Sequence, residues 1–105
     1  MVSEYPMMRP VVVLTEFMEG MLDQLVENKD RGGWEGCTAV YLLQKMYEHM
    51  DAGRTAIESG GSTKYVREQF IKASNYAMMI QDNYSREHEV DGEYKKRTEA
   101  GDWIS

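Results

Sequence analysis

The chain has 105 residues, with 12 Lys and Arg against 18 Asp and Glu, a net charge of -6 and a single cysteine. That length fits one domain with a modest core, and the acidic balance repels phosphate backbones, which excludes general nucleic-acid binding without a local basic patch. Cys37 has no partner for an internal disulfide, no run approaches the about 20 apolar residues of a membrane span, and "MVSEYPMMRP" lacks a signal-peptide pattern, so a soluble cytoplasmic protein is expected.

Pro10 reads as a helix start, and Leu14, Phe17 or Met18, Met21 or Leu22, and Leu25 form one apolar stripe behind it. The stripe runs out at "ENKDRGGWEG", where Gly32 and Gly33 end the helix and Trp34 follows in the loop. A second helix is predicted from an N-cap at Thr38 to about Glu58, with Leu42, Leu43, Met46, Met50 and Ile57 inward. Gly53 inside it marks a close helix approach or a kink. After "SGGST", where Ser62 or Thr63 can cap, a third helix is predicted over Lys64 to Tyr84, with Phe70, Ala73, Ala77 and Ile80 on its packed face. No alternating strand pattern occurs, so the class is all-α: an antiparallel bundle of three main helices over residues 1–84, completed by oligomerisation. Residues 85–105 read as a charged tail or short helix, with Tyr94, Trp103 and Ile104 as docking points. Nine methionines suit irregular packing or a subunit interface.

Two segments carry a family likeness. "ENKDRGGWEGCTAVYLLQKMYEHMDAG", followed by "VREQFIKASNYAMMIQDN", resembles the MazG-like all-α nucleoside triphosphate pyrophosphohydrolases, in particular their small phage and bacterial forms. In that family a K-G-G-W type loop precedes a helix bearing E-E-x-x-E, and a later helix bears E-x-x-D and runs into an A-M-M-I-x-D-N type sequence. The resemblance implies a helical bundle whose inward carboxylates hold Mg²⁺ against a triphosphate. It also implies dimers or tetramers with pockets near subunit contacts.

At those positions the chain departs from the pattern. The first motif falls on Glu48, His49 and Ala52, and the second on Gln69 and Lys72, so only Glu48 is a carboxylate. Asp51 and Glu68 are one residue out of place, which turns a side chain by about 100° around a helix. Lys72 brings a positive charge to the place where the resemblance puts the metal. The positions implied to face a nucleotide are kept: Trp34 for stacking, Asn75 for a base edge or ribose, the closing pair Asp82 and Asn83, and Arg31 in place of the loop lysine.

Each has a plainer alternative. Trp34 is equally a plug over the bundle end, and Asn75, which the resemblance favours as a base reader, has a helix-to-helix hydrogen-bonding role as its alternative. Lys72 either pairs with Glu68 one turn away, worth about 0.3 kcal/mol, or holds a phosphate in place of a metal. His49 reads as a packing or hydrogen-bonding residue rather than a ligand. The expected function is therefore non-catalytic binding of a nucleotide or nucleotide-derived small molecule through Arg31, Trp34, Glu48, Lys72, Asn75, Asp82 and Asn83, with Lys29 as a further cation and no cofactor. Sequestration of a host nucleotide signal by a phage protein is the use this suggests. The alternatives are a Mg²⁺-dependent pyrophosphohydrolase rearranged around Glu48, Asp51 and Glu68, and a protein-interaction module.

Overall fold

The computed structural model describes residues 4–88. Within them the chain is all-helical: α1 spans Glu4–Glu27, a single 3₁₀ turn spans Lys29–Arg31, α2 spans Ala39–Glu58 and α3 spans Thr63–His88. Residues 89–105, with the expected docking points Tyr94, Trp103 and Ile104, lie outside the described residues.

Local chemistry sets the boundaries. Thr38 Oγ1 accepts the Tyr41 amide at 3.1 Å and Ser62 Oγ accepts the Tyr65 amide at 3.1 Å. Each hydroxyl satisfies one of the amides that a helix start leaves without a partner. α2 ends through Gly60 at φ 73, whose amide returns to the Ile57 carbonyl while the Gly61 amide reaches the Ala56 carbonyl. A left-handed residue at this point favours glycine. α1 begins six residues before the expected start, and Pro10 lies inside it. There the proline deletes one early backbone bond instead of opening the helix. α3 continues through His88, so the first residues assigned to the tail belong to it.

α3 is the central element, packed along α2 on one side and against α1 on another, while α1 and α2 do not meet among the described residues. Gly53 supports the first contact, because a Cβ there would lie 2.7 Å from Phe70 Cε2; the expected close approach is realised. Gly20 does the same for α1, beside Ile71 and Arg67 of α3.

The packed faces differ from the expected ones. On α2 the buried residues are Leu42, Gly53 and Ala56, whereas Leu43, Met50 and Ile57 stay exposed. One neighbouring helix covers only one narrow stripe, and small residues occupy it where the backbones come close. On α1, Phe17, Met21 and Leu25 turn partly inward while Leu14, Met18 and Leu22 remain outside. On α3, Gln69, Ile71, Ala73, Asn75 and Asn83 are buried, but Ala77 is exposed on an arc that neither neighbour covers. The radius of gyration, 16.3 Å, exceeds the roughly 12 Å of a compact chain of about this size. The helices form an open wedge, with a cleft between α1 and α2.

Candidate functional site

The cleft is floored by α3 and closed at one end by the loop that joins α1 to α2. Asn28 ends α1, and the 3₁₀ turn then presents Lys29 and Arg31. Gly32, at φ 81 and ψ 179, takes the chain through a conformation open essentially to glycine alone and directs it toward Trp34.

Trp34 anchors this loop. It is 7% exposed, and its indole Nε1 donates to Asp82 Oδ2 at 2.9 Å. The neighbouring Asn83, also buried, donates from Nδ2 to the Trp34 carbonyl at 3.0 Å and to the Cys37 carbonyl at 3.3 Å. Arg86 completes the group, with Nε 3.6 Å from Asp82 Oδ2 and a second bond to Asn83 Oδ1. Asp82 and Asn83 therefore fasten the loop to α3 from behind Trp34. The tryptophan is buried at the plug position and is one of the residues that line the cleft.

The resulting cavity has a volume of about 550 Å³, within the usual range for small-molecule sites. α1 contributes Leu22, Gln24, Leu25 and Val26, and the loop contributes Asn28, Lys29, Arg31, Trp34 and Cys37. α2 adds Tyr41, Leu42, Lys45 and His49, and α3 adds Lys72, Asn75, Tyr76 and Met79. Four fixed cations thus come from three elements. Among the described residues no carboxylate lines the cavity; Asp30 and Glu35 of the same loop stay outside. Among the described residues, Lys29, Arg31 and Lys72 have no carboxylate within ion-pair distance, so the alternative Glu68–Lys72 pair does not form. Lys45 lies 3.6 Å from Glu48 and 5.7 Å from the Tyr41 ring centroid.

Beside Trp34, the aromatic lining is Tyr41, Tyr76 and His49. The rings of His49 and Tyr76 stack nearly parallel with centroids 5.7 Å apart. Burial pushes the Tyr76 phenol above its ordinary pKa, and Tyr41 and, more weakly, Cys37 add to the rise, whereas Lys45 and Arg31 oppose it. Asn75 is 2% exposed and donates to the Met21 carbonyl of α1 at 3.0 Å. It thereby makes the helix-to-helix bond, and its Oδ1 has no partner among the described residues.

The structure therefore brings Arg31, Trp34, Lys72 and Asn75 to one cavity, with Lys29. It sets Asp82 and Asn83 behind Trp34. Glu48 lies outside that cavity, in a shallow groove with Gln44, Tyr47, Met50, Asp51, Arg54 and Phe70. Sequence reading missed Lys45, Tyr41 and Tyr76, whose spacing resembles an ordinary half-solvated helix face until the loop folds against them.

Of the positions that the resemblance assigns to metal carboxylates, His49 and Gln69 meet, whereas Glu48 does not join them. His49 Nδ1 lies 2.8 Å from Gln69 Oε1, and Lys72 lies one turn along α3. This donor set does not fit Mg²⁺, which takes carboxylate and other oxygen ligands and is repelled by an ammonium. Among the described residues no three His, Cys, Asp or Glu side chains gather in a metal-binding arrangement. Nor is any described helix long and apolar enough to cross a membrane. Comparison with protein-family models, curated proteins and solved structures finds no match.

Proposed function

We propose that this protein binds a nucleotide or nucleotide-derived small molecule in the α1/α2 cleft, holding its phosphate with side-chain cations in place of a metal ion and carrying out no chemistry on it. The observation that carries the reading is charge segregation. A chain of net charge -6 gathers Lys29, Arg31, Lys45 and Lys72 around one cavity that no acidic residue lines among the described residues. Like charges brought together without counter-charges are unfavourable, and an anionic ligand offsets that cost. Arg and Lys side chains are suited to phosphate recognition, Arg through its planar fork and Lys as a point charge. Tyr41, Tyr76 and His49 supply a surface on which a base can stack.

Binding without turnover suits sequestration of a nucleotide signal, in a reducing cytoplasm, and in the host's cytoplasm for a phage-borne protein. Equilibrium titration with a panel of nucleotides and cyclic nucleotides in EDTA tests the reading: at least one binds saturably, and the absence of any binding overturns it.

A homo-oligomer, dimer or tetramer, forms part of the proposal. Val11, Leu14, Met18, Leu22 and Val26, spaced three and four apart on α1, are all 47–59% exposed, a continuous apolar stripe that a monomer leaves in water. Two-fold pairing would cover it. Sedimentation equilibrium gives a mass above the 12.2 kDa monomer, and Met18→Glu lowers it; a monomeric wild-type chain contradicts this part.

A further inference from the structure

Resting on that reading, we infer that the ligand carries at least two phosphate groups and binds in its metal-free form, so that Mg²⁺ opposes binding. The cations of the cavity are distributed. Lys29 and Arg31 stand on the loop, Lys45 on α2 and Lys72 on α3, so they approach the space from three directions. Cations borne on the loop, α2 and α3 around a cavity of about 550 Å³ are matched more completely by two or more linked or separated phosphates than by a single one. Among the described residues only Lys45 has a carboxylate nearby, Glu48 at 3.6 Å, and the pair is open to solvent, with side chains 35% and 51% exposed. Exposed pairs of this kind contribute little and exchange readily for a stronger anion.

The metal enters with the opposite sign to that of a hydrolase. Mg²⁺ on a polyphosphate neutralises the charge that these cations would meet, and it keeps several water molecules that a dedicated carboxylate site would otherwise help replace. The inward positions that could have supplied carboxylates hold His49, Gln69 and Lys72, with the first two bonded to each other. Chelation therefore removes favourable contacts and offers no protein ligand in return.

The test is calorimetric titration of the full chain with adenosine and guanosine mono-, di- and triphosphates and with cyclic dinucleotides, each in EDTA and in excess Mg²⁺. For a linear polyphosphate ligand, affinity rises about tenfold from mono- to triphosphate, the effect of one added charge-assisted contact, and falls about tenfold or more in excess Mg²⁺. For a cyclic dinucleotide ligand, whose separated phosphates chelate weakly, the dinucleotide binds at least tenfold tighter than the mononucleotide and Mg²⁺ weakens it only slightly. Lys72→Ala and Arg31→Ala reduce binding of the tight ligand more than that of the monophosphate, with the helical circular-dichroism spectrum unchanged. Monophosphates binding as tightly as all multiply phosphorylated ligands, or Mg²⁺ strengthening binding, overturns this inference while leaving the proposed nucleotide binding intact. No binding by any nucleotide overturns the proposed function itself.

Discussion

His49 Nδ1 and Gln69 Oε1 lie 2.8 Å apart, linking α2 to α3 in the floor of the cleft. An amide oxygen can only accept, so the bond places a proton on His49 Nδ1. A neutral imidazole then has Nε2 as an acceptor. Gln69→Ala removes this partner from a buried position and is expected to cost about 1 kcal/mol. Thermal denaturation checks it: the midpoint falls by roughly 4–8 °C. An unchanged midpoint would mean that the pair contributes nothing to joining the helices.

Asp82 accepts the Trp34 indole at 2.9 Å and also faces Arg86. Asp82→Ala leaves an indole N–H and a guanidinium without their acceptor, for an expected loss of about 1–3 kcal/mol. With Trp103 replaced by phenylalanine, fluorescence reports Trp34 alone. Its emission shifts to the red in the Asp82→Ala variant as the loop loosens, and it stays put if Trp34 is held by apolar packing only.

Gly53 faces Phe70 at a distance that excludes a methyl group. In an exposed helix Gly→Ala gains about 1 kcal/mol, but here overpacking works against that gain at about 1–3 kcal/mol. Gly53→Ala is therefore expected to lower the unfolding midpoint, and the added change Phe70→Leu to recover it. A stabilised single variant would show that the helices separate freely at this point.

These contacts show which parts of the structure are legible in the sequence. Thr38 and Ser62 announce two helix starts because capping is local, and Gly53 announces a close approach or a kink, of which the contact with Phe70 realises the first. Pro10 misleads, since a proline in an early helical turn resembles one that starts the helix. Met50 and Ile57 mislead on α2 because apolar spacing identifies every greasy stripe, while a single neighbour covers only one. The site is half legible. Arg31, Lys72 and Asn75 stand out through the resemblance, but Lys45 and Tyr41 acquire meaning only when the loop closes over them, and Trp34's partner is a helix away in sequence.

Tyr76 gives a pH dependence. Burial raises its folded-state pKa above the ordinary value of 10.0, so above that value the unfolded chain is the first to lose its phenolic proton. The native state then holds more protons, and stability falls as pH rises from the unfolded value toward the folded one. The contribution is complete below about pH 10. Urea denaturation between pH 9 and 11, ranges set by that reference value, is expected to show a shallower alkaline decline in Tyr76→Phe than in the wild type. Equal slopes would remove Tyr76 from the account.

The most direct test of the central claim, a metal-free cationic site in the cleft, is an amide-resonance titration of isotope-labelled protein with a tight-binding nucleotide in EDTA. Saturable shifts concentrated at 29–37, 41–49 and 72–79 are expected, and their loss in Lys72→Glu. Shifts centred instead on the outer groove of Glu48, Asp51 and Arg54, or shifts that need Mg²⁺ to appear, would contradict it.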